Sequence, residues 1–392
     1  MLTEKPRVLH VIARFNVGGT ARYLDNLLPG LAEHFQTLLA VGHVQGYEIE
    51  DSRLEEIDFL RIQHLGRRIR PIEDFRAYLE LRKTVKSFKP HIIHSHTFKA
   101  GLLARLMFFR IPKIHTFHGH LMGDPEFSRR ALQIIINIER RLAKVTKKLI
   151  TVGEQVSKDL LQVGVGKPHQ YISIVSEGQS LIFISRKAAR ARLNIHADTP
   201  IVLWMARMAQ VKNPSLALEV ARHLSEVNFL MAGGGELFDL IKNQAPPNVR
   251  LLSWVDPAET IPAADIFLST SLNEGVPYSL LEAISAGVPV VAVDAGAIKE
   301  IIEIRENGIL VSPDPSKIAA QILTLISKQK IGMAEGKSEL NSNALSLKIK
   351  KMVPDHASLY MKILSIDGYG KNHLKNSETN QAAPTLAEGI LP

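Results

Sequence analysis

The chain has 392 residues, 45% hydrophobic and 22% charged, the balance of a folded protein with room for two or three domains. It contains no cysteine, which excludes disulfides, thiol nucleophiles and thiolate metal sites and suits a reducing compartment. The net charge of +9 favours anionic partners, yet no zinc-finger spacing, helix-turn-helix pattern or aromatic-rich RNA-binding strand accompanies it, so nucleic acid is not expected.

In chain order, short β-branched runs at 7–13, 36–41, 91–96, 113–117 and 148–152 alternate with amphipathic helical patterns at 23–31, 75–88 and 130–143. Near-continuously apolar strands separated by helices predict a parallel sheet buried on both faces. The cycle then restarts. A strand at 200–205 precedes a helix at 214–224 with Pro214 at its start, and further strands follow at 229–232, 249–254, 266–271 and 289–293. The fold class is therefore α/β, with two Rossmann-like doubly wound domains over 1–185 and 190–348 joined through a charged stretch at 185–199. The texture turns polar after Lys328, one more amphipathic stretch spans 352–364, and a polar tail from 367 to 392 is expected to be disordered.

The opening MLTEKPRVLHVIA is too short in its apolar part for a signal peptide, and no run reaches the roughly 20 apolar residues of a membrane span. The expected location is the cytoplasm. Basic residues cluster at Arg67, Arg68 and Arg70, and again at Arg129, Arg130, Arg140, Arg141, Lys144, Lys147 and Lys148. They read either as solvated helix faces or as a patch that holds the protein on the anionic inner face of the cell membrane.

Several loops carry candidate chemistry. Gly18 and Gly19 follow the first strand and open a helix, where backbone amides and the helix dipole favour an anion, although a plain strand–helix turn would look the same. Gly233, Gly234 and Gly235 follow an apolar strand and permit either close ligand approach or a sterically tight turn. Arg207 and Lys212 lie beyond a strand's carboxyl end, where open α/β sheets bind ligands, and could neutralise a diphosphate or be ordinary surface charge. The most specific string is NEGVPYSLLEA. Glu274 stands in a Gly/Pro loop and Glu282 eight residues on, within the first turns of a helix, where it can accept hydrogen bonds from vicinal hydroxyls. The amides of Gly275 and Val276 are left for a ligand. His94 and His96 share one side of their strand, a spacing compatible with a metal, but no carboxylate accompanies them and packed or hydrogen-bonded histidines are the default.

The block SLNEGVPYSLLEAISAGVPVVAVDAGAIKEII resembles the donor-site signature of the retaining glycosyltransferases of family 4, which adopt the GT-B fold. Val17-Gly18-Gly19, His115-Thr116-Phe117-His118-Gly119, Val152-Gly153-Glu154, Arg207 with Lys212, and Gly233–Gly235 resemble further family motifs and fall in the family's order. The resemblance covers about residues 5–330 and the segment at 352–364, which is similar to the helix that crosses back to the first domain. It implies a nucleotide-sugar donor, a UDP-sugar before others, bound by the second domain. The first domain would take an envelope-glycan or lipid-linked acceptor. Arg207 and Lys212 would hold the diphosphate, Glu274 the hydroxyls of a hexose or N-acetylhexosamine, Glu282 the ribose, and His118 the reacting side of the sugar. Donor contacts would extend to Gly18, Gly19, Gly233, Gly234, Gly235, Gly275, Val276, Pro277 and Leu281. No cofactor and no metal is implied. Ala206, Asn213, Ser176, Ala297 and Lys299 depart from the family pattern, which puts donor geometry and sugar preference in question. Two competing readings remain: a nucleotide-sugar epimerase of the same fold, and a catalytically silent nucleotide-sugar binder.

Overall fold

The computed structural model describes residues 4–46, 48–119, 128–175, 181–305, 308–334 and 352–366. The first domain runs β1 (Arg7–Ile12), α1 (Gly19–Leu31), β2 (Gln36–His43), β3 (Phe59–Gly66), α2 (Pro71–Phe88), β4 (Ile92–His96), α3 (Phe98–Arg105), β5 (Lys113–Phe117), α4 (Arg129–Ala143), β6 (Lys148–Thr151), α5 (Glu154–Gln162) and β7 (Tyr171–Ser173). Its strands form one sheet in the order β3-β2-β1-β4-β5-β6-β7, every pair parallel. The second domain runs α6 (Arg186–Arg192), β8 (Ile201–Met205), α7 (Pro214–His223), β9 (Asn228–Ala232), α8 (Phe238–Gln244), β10 (Val249–Leu252), α9 (Pro257–Thr260), β11 (Ile266–Ser269), α10 (Tyr278–Ser285), β12 (Val290–Val293), α11 (Ile298–Arg305), β13 (Gly308–Val311) and α12 (Pro315–Ala334). Its parallel sheet has the order β10-β9-β8-β11-β12-β13. The doubly wound class read from the strand pattern is the one observed.

Alternation along the strands decides what each sheet face buries. In β1, Leu9 and Val11 point to one core, while Val8, His10 and Ile12 point to the other beneath α1. A final helix, α13 (Met352–Ile366), packs Met352, Leu359, Tyr360 and Ile363 into that second core, against α1.

Three sequence expectations are corrected. The stretch at 185–199, read as a junction, contains α6 and belongs to the second domain. Ser185 caps the helix, and Arg186 and Arg190 both bind Asp265, at 2.5 and 2.8 Å. Strand β3 was missing from the reading because it is half exposed and interrupted by Arg61, Gln63 and His64, so it lacks the apolar run of its neighbours. Helix α12 continues to Ala334, past the polar turn expected after Lys328. The tail at 367–392 and the residues Ser176, Glu177 and Gly178 lie outside the described residues.

Candidate active site

Each sheet reverses strand order beside its first strand, between β1 and β4 in one domain and between β8 and β11 in the other. Crevices beyond the carboxyl ends of such strands are where open α/β sheets bind ligands. Here the two crevices face each other. A Cβ on Gly19 would lie a tight 3.3 Å from the Tyr278 ring, and one on Gly275 would overlap the carbonyl oxygen of His118, so Gly275 must be glycine for the domains to approach.

The space between the domains has two adjoining compartments. One, of about 260 Å³, is lined by Arg14, Gly18, Arg22, Gly233, Trp254, Pro257, Pro277 and Glu282. The other, of about 310 Å³, is lined by Tyr23, His118, Gly119, Asn273 and Gly275. Gly19, Thr20, Arg207, Lys212, Glu274, Val276 and Tyr278 line both and form the shared wall. Most of the residues singled out in the sequence therefore meet at one place.

The shared wall is charged. Lys212 Nζ lies 2.6 Å from Glu274 Oε1, and Ser271 Oγ donates to the same oxygen at 2.7 Å. Glu274 is 7% exposed, and these two groups hold its carboxylate in the wall. Arg207 reaches toward Glu236 at 3.4 Å. Lys212 is presented by a short turn ending in Asn213, whose φ of 49° is left-handed and whose side chain caps α7 by accepting from Leu216 N. Asparagine tolerates that conformation better than other non-glycine residues, so this departure from the family glycine leaves the turn intact.

Glu282 is fully buried and forms an ion pair with Arg22 of α1, in the opposite domain. Burial, with Arg53 nearby, lowers the Arg22 pKa to about 10, and burial lowers that of Arg14 to about 10 against the opposing pull of Glu48, so both stay cationic at neutral pH. Sequence reading missed Arg14 and Arg22, and gave Tyr278 of the NEGVPYSLLEA string no role of its own. The one available signal was that Arg22 lies a turn into the helix that Gly18 and Gly19 open.

In the glycine loop after β9 the packing shows the sterically tight turn, one of the two uses its sequence allows. Gly233, with a φ of 128°, sits where a Cβ would overlap the Ala206 carbonyl oxygen, and one on Gly234 would meet the Trp254 ring at 2.6 Å. These residues let the β8 loop and Trp254 pack closely, and of the three glycines only Gly233 lines the cleft. Leu281 is 1% exposed, packs in the core of the second domain with Leu280 and Ile284, and lines neither compartment.

Behind the cleft wall lies a group of buried histidines. Residues at alternate positions share a sheet face, so His10 of β1, His94 and His96 of β4 and Thr116 of β5 all point under α1 and α13. His118 follows β5, and its Nε2 lies 3.0 Å from His96 Nδ1. His10, His94 and His96 each bring one ring nitrogen within 4.8 Å of the others, a metal-compatible spacing. Both nitrogens of His94 are already engaged, by Tyr360 at 2.5 Å and Thr116 at 2.7 Å. Burial, with His356 nearby, pushes His118 down to about 3, so the ring facing the cleft is a neutral imidazole.

Comparison with known proteins fits this geometry. Residues 17–178 match the model of Glycosyltransferase Family 4, and residues 199–328 match that of Glycosyl transferases group 1. The chain is 24% identical over 322 residues to an Escherichia coli UDP-Gal:alpha-D-GlcNAc-diphosphoundecaprenol alpha-1,3-galactosyltransferase, covering 76% of this chain and 82% of that one. It is 23% identical over 294 residues to the O-antigen biosynthesis glycosyltransferase WbnH of Escherichia coli, covering 74% and 81%. In fold it is similar to sucrose-phosphate synthase from Thermosynechococcus elongatus, with a TM-score of 0.78 at 19% identity over 93% of this chain and all of that one. It is also similar to Anabaena HepE in complex with UDP and glucose, with a TM-score of 0.75 at 18% identity over 91% and 100%. Among the described residues no helix is long and apolar enough to cross a membrane. Two facing Rossmann-like domains, a charged wall built around Lys212 and Glu274, and family matches over both halves together make this chain a member of the group 1, family 4 glycosyltransferases.

Proposed function

We propose that the protein transfers a hexose or N-acetylhexosamine, with retention of configuration, from a UDP-sugar to a lipid-linked or polysaccharide acceptor. The observation that carries this reading is the shared wall, where Arg207, Lys212 and Glu274 separate a compartment containing Glu282 from one containing His118. A nucleoside in the first compartment offers its ribose to Glu282 and its diphosphate to Arg207 and Lys212, and the sugar then enters the second compartment beside Glu274 and His118. In the transfer step the bond from the anomeric carbon to the diphosphate oxygen breaks. A bond to the acceptor oxygen forms on the same face, and the acceptor proton passes to the departing diphosphate. Negative charge grows on the leaving oxygen, so preorganised cations there are the largest expected contribution. They neutralise the diphosphate without a divalent metal, and turnover should survive EDTA. The acceptor class rests on the relatives: the E. coli galactosyltransferase acts on a diphosphoundecaprenol-linked sugar and WbnH serves O-antigen biosynthesis.

The test incubates the protein with a panel of nucleotide sugars and a polyprenyl-diphosphate-linked sugar, with products read by mass spectrometry and anomeric NMR. Glycosylated lipid with the donor's anomeric configuration is the expected result. Epimerised donor, or binding without turnover, would select one of the two competing readings instead.

A further inference from the structure

The histidines behind the cleft form a hydrogen-bonded line. His118 Nε2 lies 3.0 Å from His96 Nδ1, and His96 Nε2 lies 3.1 Å from His10 Nδ1. His10 and His96 are completely buried, and His10 Nε2, the far end of the line, is a buried nitrogen with no hydrogen-bond partner among the described residues. All three rings are neutral, because burial holds His10 and His118 near 3 and His96 well below its ordinary value, with His94, His118 and His10 adding to the effect on His96.

Three neutral imidazoles carry three ring hydrogens, and each N···N contact needs one and tolerates only one. Only two arrangements satisfy both contacts. In the first, every hydrogen sits on Nδ1: His10 donates to His96, His96 donates to His118, and His118 keeps Nδ1–H for the cleft. In the second, every hydrogen sits on Nε2, the donation runs the other way, and His118 offers the cleft a bare nitrogen. The two differ at the buried end. The first leaves a bare lone pair on His10 Nε2, and the second buries an N–H with no acceptor among the described residues. Orphaned buried N–H groups are rarer than under-used acceptors. Neighbouring rings do not compensate: His94 is committed to Tyr360 and Thr116, and His356 accepts from Tyr23 while donating from Nδ1 to the Met352 carbonyl, at 2.9 and 2.7 Å.

We infer that His10 and His96 are positioning residues that lock His118 in the Nδ1–H tautomer, so that it meets the bound sugar as a hydrogen-bond donor and does not serve as a base. The effect on turnover rests on the transferase reading above, whereas the tautomer does not.

The test uses the full chain labelled with ¹⁵N at histidine, with long-range proton–nitrogen spectra and the His118 signals assigned through a His118→Ala variant. His118 should show a protonated Nδ1 and a bare Nε2. His96→Phe, which removes the donor, should shift its hydrogen onto Nε2. The same variant should lower kcat by roughly ten- to a hundredfold while leaving donor KM nearly unchanged, the pattern of an interaction made mainly in the transition state. His96→Asn, whose amide can still donate to Nε2, should restore the tautomer and most of kcat. A protonated Nε2 in the wild type would overturn the inference, whatever the folding of the variants. An unchanged kcat in a folded His96→Phe would overturn the positioning role. A wild type with the Nδ1–H tautomer but no transfer activity on any donor would leave the wiring standing and remove the transferase reading instead.

Discussion

Lys212 Nζ and Glu274 Oε1 stand 2.6 Å apart on the wall between the two halves of the cleft. On the proposed function a diphosphate at Lys212 would compete with that carboxylate, so donor binding and release of Glu274 toward the sugar hydroxyls should be coupled. Because charge on the diphosphate grows in the transition state, Lys212→Ala and Arg207→Ala should each lower kcat by more than they raise donor KM. The loss should be on the order of 10²-fold, as for removal of one preorganised group in other active sites. Steady-state kinetics with saturating acceptor check this, and wild-type kcat in both variants would move the diphosphate site elsewhere.

Glu282 and Arg22 join the domains from opposite sides. Glu282→Gln keeps the shape but removes charge-assisted hydrogen bonds worth about 1.5–3 kcal/mol each, so donor affinity should fall roughly ten- to a hundredfold. Arg22→Met leaves a buried carboxylate without its partner and should destabilise the fold by about 3–5 kcal/mol. The double variant Arg22→Met/Glu282→Gln should be more stable than Arg22→Met alone. Chemical denaturation of the four proteins measures the coupling, and simple additivity would contradict it.

Stability should fall in mild acid. Burial lowers His10 and His118 to about 3 and His356 to about 4, and it lowers His94, His96 and His115 well below the usual range. Between those values and about 6.5 the unfolded chain binds protons that the folded chain does not, so stability is fully present above about pH 6.5 and is lost as pH decreases. Each fully depressed histidine contributes up to about 1.4 kcal/mol per pH unit in that window. Denaturation midpoints should therefore drop between about pH 7 and pH 5, and more shallowly for His10→Phe. Equal midpoints across that range would show that the cluster is not neutral in the fold.

The basic helix α4 offers a membrane test with an adjusted variant. Arg140 Nε donates to the Val163 carbonyl and Lys148 Nζ to that of His169, both at 2.7 Å, so these two are tied to the fold. Arg129, Arg130, Arg141 and Lys144 are exposed. At about 1 kcal/mol per basic residue near an anionic surface, the protein should co-sediment with anionic vesicles at low salt and leave them by roughly 0.5 M salt. Changing those four residues to glutamate should abolish sedimentation without affecting nucleotide release. A wild type that ignores anionic vesicles at low salt would make the patch a solvated face.

The parallel sheets were legible because their strands are apolar on both faces, and the cleft wall was legible because Glu274, Gly275, Pro277 and Glu282 lie in one string. What stayed hidden depends on contacts between distant segments. Arg22 and Glu282 are 260 positions apart and meet only when the domains face each other. His10, His96 and His118 come from three separate strands or their ends, and only the folded sheet brings them into hydrogen-bonding distance. Glycines misled in the other direction. Gly234 counts among the donor contacts the resemblance implies but makes room for Trp254, and Leu281 belongs to the motif yet packs in the core. A motif marks the element that carries a site, and packing decides which of its side chains reach it.

The most direct measurement is acceptor-dependent release of UDP from a UDP-sugar panel by the wild type and by the Arg207→Ala/Lys212→Ala double variant, each first shown to be folded. The account predicts release by the wild type with at least one donor, dependent on a lipid-linked or glycan acceptor, and loss of that release in the double variant. Wild-type protein that releases no nucleotide from any donor, or a double variant that releases it at the same rate, would contradict the assignment of this cleft as the transfer site.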